Sequence, residues 1–287
     1  MGTQIVTQVI RTIESQIYQQ LDNVDAEINV QSLASSHQLS RFQLARLFKK
    51  HAGQELNQFI QRMKLEAAAN IVSYTKTPLL DLALNLGYTS QQAFTRAFTQ
   101  YWGMSPGKMR IARQDYARAL FDAQGRQHIQ CQIRRTRTAL KLWGIRYKGN
   151  AEDALQHWER FHTPLSQLLP DYQGPYYGLF YDDPAITPPG EVRYGCAVAM
   201  PAYAGLPPDG WYCIDVPPAR FVVFQLQGTY AQSHTTVCPL IMHWFVSHQE
   251  QFGHAASFEV FTTRPSTDPN VSYALELAIS LLDPPYE

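Results

Sequence analysis

Nothing narrows the possible folds of this chain as much as its internal repeat. LASSHQLSRFQLARLFKKHAG begins at Leu33 and LALNLGYTSQQAFTRAFTQYWG begins at Leu82. From Ser40 onward the copies match at an offset of 50, pairing Ser40 with Ser90, Leu44 with Phe94, Arg46 with Arg96, Phe48 with Phe98 and Gly53 with Gly103. Ahead of the turn the offset is 49, because the second copy carries one more residue there. Each copy reads as a short helix, a turn and a longer helix with apolar residues at i, i+3 and i+4. That is the outline of a helix-turn-helix unit.

The surrounding residues extend the helical reading. Ile5, Val9, Ile13, Ile17 and Leu21 recur every four residues, giving one apolar stripe. Asn29 and Ser40 stand where caps are needed, and Thr77-Pro78 and Ser105-Pro106 each read as a cap followed by proline in the first helical position. A last short helix follows Ser105-Pro106. Between the copies a helix is expected from about Gln54 to Ser73. Such a helix is roughly 30 Å long, close to the ~34 Å between successive major grooves on one face of B-DNA. One chain could therefore set two reading helices in neighbouring grooves. Their outward residues would be Arg41, Phe42, Ala45 and Arg46 in the first copy, and Gln91, Gln92, Thr95 and Arg96 in the second. Arginine can bond guanine and glutamine can bond adenine through paired contacts, while Phe42 could pack on a thymine methyl. Lys49, Lys50, Lys76, Lys108 and Arg110 are candidate phosphate contacts. The alternative for each polar residue is an ordinary solvated side chain or a local ion pair.

Composition divides the chain in two. Its net charge of zero conceals 13 Lys+Arg against 8 Asp+Glu in residues 1–120, and 11 against 16 in the remainder. Two of the 18 prolines lie in the first stretch. A length of 287 residues suits two domains rather than one core. No apolar run nears the ~20 residues of a membrane-spanning helix, and MGTQIVTQVIRTIESQ lacks the features of a signal peptide, so the expected location is the cytoplasm. Cys131, Cys196, Cys213 and Cys238 have no CxxC spacing and read as reduced, mostly buried thiols.

Residues 113–130 read as a helical or irregular linker, and the pattern beyond them is mixed. Residues 129–148 alternate, and 151–169 form an amphipathic helix with Leu155, Trp158, Phe161, Leu165 and Leu168 inward. YYGLFYDD and VRYGCAVAM then read as strands. WYCIDV, ARFVVFQLQG, a helix over about 233–249, SFEVF and YALELAISLL repeat the cycle. A strand, a helix and two strands thus appear twice, an arrangement that can leave a groove between the halves.

The tandem units, with R-x-F in each and a G-x-S-P end, resemble the AraC/XylS family of transcription regulators over about 5–112. With the DNA-binding part first, the layout resembles the Rob/MarA/SoxS branch. One departure stands out: Gln38 occupies the place of the family's turn glycine. The resemblance implies base contacts at the outward positions named above. Over roughly 130–285, YYGLFYDDPAITPPGEVRYGCAVAM, ARFVVFQLQG and the F-E-V-F ending resemble a GyrI-like ligand-binding domain. There Ser280 replaces a usual proline, and Phe245-Val246 replaces a Leu-Pro pair after Trp244. The second part holds 24 of the chain's 35 aromatic residues, suited to flat or cationic molecules. Trp143, Tyr181, Tyr194 and Trp244 are the candidate ligand contacts, with plain core packing as their alternative. The resemblance places Glu276 at the family's inward-facing glutamate; otherwise it faces solvent on an alternating strand.

These readings give a two-domain fold class, an all-α tandem helix-turn-helix of seven helices followed by an α+β GyrI-like domain of two pseudo-repeated strand-helix-strand-strand units. Expected boundaries are 1–115 for DNA binding, 116–130 for a linker and 131–287 for effector binding. The expected DNA-binding set is Arg41, Phe42, Ala45, Arg46, Lys49, Gln91, Gln92, Thr95 and Arg96. Expected partners are double-stranded promoter DNA and a small-molecule effector, with RNA polymerase a further candidate and no membrane. No nucleophile elbow, HExxH or phosphate loop is present in the sequence, so no enzyme, cofactor or metal is expected. The rival reading is a GyrI-like hydrolase of small electrophilic compounds fused to a DNA-binding domain, using a glutamate and a nearby tyrosine.

Overall fold

The structure is a computed structural model describing residues 2–22, 28–123, 130–182, 187, 190–200, 207, 210–253 and 255–283, with the backbone alone at 3–4, 18–19, 22, 117, 120–123, 151, 233–239, 242 and 246. The chain divides into two compact units, Met1–Arg113 and Gln114–Glu287. The expected linker residues 124–129, and the side chains of His234 and Cys238, lie outside the described residues.

Helix α1 (Gly2–Asp22) buries Val6, Val9, Ile13 and Ile17. Helices α2 (Val30–Ser35) and α3 (Arg41–Ala52) form the first repeat copy, and α5 (Leu79–Asn85) and α6 (Gln91–Trp102) the second. Between them runs α4 (Leu56–Tyr74), and α7 (Pro106–Ala123) follows. The caps work through local chemistry. Asn29 accepts the Ser32 N–H, Ser90 accepts the Ala93 N–H, and Ser40 forms a reciprocal capping box with Gln43. Ser105 accepts the Lys108 N–H ahead of Pro106.

Two expectations need correction. Thr77 does not cap α5; Pro78 occupies that position without a side-chain bond, and the Thr77 hydroxyl pairs with Thr75 instead. The helix after Ser105-Pro106 is 18 residues rather than short, so it continues into the stretch expected as linker.

The turn without glycine is built in the same way as its counterpart. Gln38 adopts a φ of 56° where Gly87 in the second copy has 80°. The angle into the first reading helix is thus kept, but by a residue with a Cβ in the left-handed region, which costs about 1–2 kcal/mol.

Among the described residues from 130 onward, the second unit holds one eight-stranded antiparallel sheet, two α-helices and one turn of 3-10 helix at Ala151–Asp153. Its strands are β1 (Cys131–Arg135), β2 (Leu140–Gly149), β3 (Tyr176–Phe180), β4 (Val192–Ala199), β5 (Tyr212–Val216), β6 (Arg220–Thr229), β7 (Ser257–Phe261) and β8 (Ser272–Leu281). Helix α8 (Ala154–Leu168) lies between β2 and β3, and α9 (Tyr230–His248) between β6 and β7. The sheet order β1-β6-β8-β7-β3-β4-β2-β5 sets the repeated halves side by side, β2-α8-β3-β4 and β6-α9-β7-β8. Each half's leading strand crosses to the other: β1 pairs with β6, and β5 with β2. The halves meet where β3 pairs with β7, with Gly178 directly opposite Glu259.

Side chains alternate between the sheet's faces. One face takes the helices: Trp158 of α8 packs against Tyr176, Tyr194 and Phe261, and Trp244 of α9 against Phe224. The other buries Leu142, Leu179, Ala197, Ile214, Phe221 and Phe258. At the departures from the GyrI-like pattern, the Ser280 hydroxyl bonds the Ala255 carbonyl at 2.6 Å, and Phe245 stacks on Phe252 at 4.2 Å.

Because Gln38 is exposed, its replacement removes strain without removing packing. Gln38→Gly is expected to stabilise the helical unit by about 0.5–1 kcal/mol after the added freedom of the unfolded chain is deducted. Urea unfolding checks this, and an unchanged or lower midpoint would show that the turn is not strained.

Candidate functional site

The two longer repeat helices bury one side and leave the other open. Leu44 and Phe48 in α3, and Phe94 and Phe98 in α6, are fully buried. Arg41, Phe42 and Arg46 are exposed, as are Gln91, Gln92 and Arg96, while Ala45 and Thr95 are half-buried at matching positions. Phe42 is 73% exposed, and the Arg41 guanidinium lies 4.8 Å from its ring centre. Lys49 is exposed but paired with Glu55 at 2.5 Å. Thr99 and Gln100, absent from the sequence-derived set, line one concavity with Gln91, Gln92, Thr95 and Arg96. Their i+4 relation to Thr95 and Arg96 was the available signal.

Helix α4 holds the second copy by polar contacts. Lys64 Nζ donates to the Leu86 carbonyl at 2.7 Å, Trp102 Nε1 to the Leu65 carbonyl at 3.2 Å, and the Tyr101 hydroxyl to buried Glu66 at 3.0 Å. The first copy meets α4 through Phe48 and Phe59, ring centres 5.2 Å apart. Arg110, expected at phosphate, instead donates to the carbonyls of Val72 and Thr77, and burial pushes its pKa down.

In the second unit the structure assembles a different acid from the one expected. Glu276 is cross-strand paired with Val260, so it faces away from the helices. It is 37% exposed, makes two bonds to Arg134 at 2.9 and 3.0 Å, and accepts from Gln225 at 2.7 Å. The Arg134 guanidinium, more than any other neighbour, holds its carboxyl below the usual range. The inward glutamate is Glu259, on the helix face with 0% exposure. Glu259 accepts from the hydroxyls of Tyr194 and Tyr230, and Trp158 Nε1 donates to the Tyr194 hydroxyl at 3.0 Å. Burial first, and then the Glu259 charge, push both phenols well above their ordinary value of 10. They therefore stay protonated and act as donors. The Cys196 thiol is raised by the same two causes. Gly178 makes the arrangement possible, since a Cβ there would run into the Tyr194 hydroxyl and the Glu259 side chain. Aromatic rings wall the group: Phe180 lies 5.5 Å from Tyr194, and Tyr230 stacks 6.0 Å from Phe261.

Of the five expected ligand contacts, Tyr194 alone bonds this carboxyl. Trp143 is buried on β2, its indole nitrogen without a hydrogen-bond partner among the described residues. Trp244 packs into the core against Phe224, Phe245 and His248. The Tyr181 ring lies over Gly195 and under the Arg146 guanidinium at 3.7 Å, on the face opposite Tyr194. Glu259 and Tyr230 were missed by sequence reasoning. An acid at the centre of SFEVF, on the same side as Phe261, was the visible clue. Cys131, Cys196 and Cys213 are free thiols, and among the described residues no His, Cys, Asp and Glu group could hold a metal ion. No helix among them is long and apolar enough to cross a membrane.

Comparison with known proteins matches both parts. A helix-turn-helix domain family matches residues 33–112, and a GyrI-like small molecule binding domain family matches residues 134–282. Multiple antibiotic resistance protein MarA of Salmonella typhimurium is 33% identical over 90 residues, 31% of this chain and 71% of that protein. Regulatory protein SoxS of Escherichia coli is 32% identical over 89 residues, 31% of this chain and 83% of its own length. Among solved structures, SAV2435 bound to tetraphenylphosphonium is 21% identical with a TM-score of 0.35, covering 54% of this chain and 94% of that one.

Two outcomes follow from the buried group and its neighbours. Gly178→Ala is expected to lower the stability of the second unit by about 3 kcal/mol, from overpacking together with a lost hydrogen bond; a variant as stable as the parent in thermal unfolding would contradict the packing described. His157 and His162 are buried, and burial, more than any other cause, pushes their pKa below 6.5. The unfolded chain then binds more protons below that pH, so their contribution, complete above about 6.5, is lost as pH falls through the folded values. Thermal melts of His162→Gln should depend less on acid over this window than the parent; equal dependence would remove His162 from the cause.

Proposed function

This chain belongs to the AraC-type helix-turn-helix regulators of the Rob/MarA/SoxS kind, with a GyrI-like small-molecule binding domain in its second half, and we propose that it is a one-component switch governed by a flat or cationic effector. On this reading α3 and α6 enter neighbouring major grooves of promoter DNA in the cytoplasm. Arg41, Phe42, Ala45, Arg46 and Lys49 face one groove, and Gln91, Gln92, Thr95 and Arg96 the next. Support comes from the matching burial of the two helices, which keeps Arg46 and Arg96 at equivalent exposed positions. The unbroken 19 residues of α4 supply a separation of about 28 Å. The effector would be held at Glu259, with Tyr194 and Tyr230 as hydrogen-bonding neighbours. A fully buried carboxyl among aromatic rings is the observation that carries this half, because charge pairing and cation–π attraction both favour a cation there. Transcription would be read out through RNA polymerase at the bound promoter.

One observation also favours the hydrolase reading: Glu259 with two protonated phenols has the parts of a general base with hydrogen-bond donors. Turnover of a small electrophilic compound, abolished by Glu259→Gln, would establish it.

Footprinting and gel shifts on the DNA upstream of its own gene test the regulator. Arg96→Ala is expected to weaken the specific complex by about 1–3 kcal/mol while sparing binding to unrelated duplex; unchanged specificity would reject the assigned reading face. Thermal-shift titration with flat organic cations tests the sensor. A ligand at a hundred times its Kd should add about 2.7 kcal/mol of stability to the parent and not to Glu259→Gln. Equal stabilisation of both proteins would move the effector site elsewhere.

A further inference from the structure

Beside Glu259 in the buried cluster stands a nucleophile, the Cys196 thiol, which is free and has 0% exposure. Gly178 pairs with Cys196 on one side and with Glu259 on the other, so the three lie in one row on the helix face. Because Gly178 is bare, its neighbours fold over it: a Cβ there would lie 2.6 Å from Glu259 Oε1 and collide with the Tyr194 hydroxyl. The carboxyl oxygen thus sits over the residue next to Cys196, whose Cα is about 5 Å from that of Gly178 across the strand pair. The Tyr194 and Tyr230 hydroxyls both donate to that same oxygen. The sulfur is an electrostatic neighbour of Glu259 and of both phenols. On the other side of Glu259 the strand partner is Leu277, so the acid has a thiol on one flank only.

A nucleophile, a base and two converging donors are the parts of an addition to an activated double bond. Burial first, and then the Glu259 charge, hold the thiol well above its ordinary value of 9. The sulfur therefore rests as S–H and reacts only where a neighbour takes its proton. We propose that Cys196 is a covalent capture site for small α,β-unsaturated carbonyl compounds, with Glu259 as base and the Tyr194 and Tyr230 hydroxyls as donors to the carbonyl oxygen. Glu259 takes the thiol proton, the sulfur bonds to the β-carbon, and the double-bond pair moves onto the carbonyl oxygen. Loss of the Glu259 charge releases the two phenols to that new oxyanion. The proton on Glu259 then passes to the α-carbon. S–H has been added across the double bond, nothing is oxidised or reduced, and no group leaves. Each chain reacts once, which separates this step from hydrolytic turnover. The inference rests on reading this cluster as the effector site, and adds to it an uncharged, electrophilic class of effector.

The test treats the full chain with methyl vinyl ketone and locates adducts by intact mass and peptide mapping, with circular dichroism to show that the protein stays folded. One adduct is expected on Cys196 ahead of Cys131, Cys213 and Cys238. Glu259→Gln is expected to slow it about 100-fold or more. A glutamate acting through its charge alone would do the reverse, since its loss lowers the thiol pKa, so faster labelling of Glu259→Gln overturns the proposal. Tyr230→Phe, which keeps the ring in place, should slow the adduct about 100-fold, and an unchanged rate overturns the proposal also where Glu259→Gln does not fold. Cys196→Ala should lose the adduct and keep the thermal stabilisation given by flat organic cations. An unmodified Cys196 in a folded parent that those cations still stabilise overturns capture alone. A parent that they do not stabilise overturns the effector site, and capture with it.

Discussion

A carboxyl group removed completely from water governs how the second unit is built. Glu259 has 0% exposure, and a buried acid is tolerated only where hydrogen bonds replace its lost hydration. The Tyr194 and Tyr230 hydroxyls meet that requirement, and the indole of Trp158 fixes the Tyr194 hydroxyl from behind. Three elements are thereby committed to one atom cluster: α8 supplies the indole, β4 one phenol, and the first turn of α9 the other. Gly178 must then stay bare, because the space its side chain would fill belongs to the hydrogen bond. The seam between the halves is consequently polar at its centre and aromatic at its margins.

The helical unit solves a different problem, which is to hold two helices firmly while leaving one side of each open. Local caps fix where α3 and α6 begin, so the exposed residues start at the same point in each copy. Phenylalanines on the inner side anchor both helices. The second copy is further clasped to α4 through Lys64, Trp102 and Tyr101, whereas the first meets it by ring packing. Arg110 belongs to the same scaffold, closing the turn after α4 rather than facing outward.

What the sequence disclosed followed from local chemistry, and what it concealed depended on register. Asn29, Ser40 and Ser90 bond residues three positions on, so their roles could be read directly. The duplicated cycle of strand, helix and two strands was legible from periodicity alone. Thr77 misled because Thr75, two residues away, competes for its hydroxyl. Glu276 misled for a longer-range reason. Both it and Glu259 occupy alternating strands, and pairing of Glu276 with Val260 and of Glu259 with Leu277 decides which of them turns inward. Strand register is set by residues distant in sequence, so one chain read alone leaves that choice open. Trp143 and Trp244 show the companion limit, since an aromatic residue on an inner face reads the same whether it packs a core or lines a cavity.

Both units are duplications, and in each the proposed binding residues include positions where the copies differ. One displacement along the chain carries Gly178 onto Glu259 and their strand partners Cys196 onto Leu277, so the facing pair at the seam is a single position seen twice. A glutamate in both places would set two carboxyls against each other with no room for either, and a glycine in both would leave no charge. The asymmetric pair is the arrangement that gives one buried acid with space to be hydrogen-bonded. In the helical unit the turn at Gln38 keeps the conformation of Gly87 despite a different residue. The outer ends of α3 and α6, by contrast, have parted into lysines and amides. Backbone geometry has been held equal while exposed chemistry has diverged, as expected if the duplicated frame positions the side chains and their differences carry the selectivity.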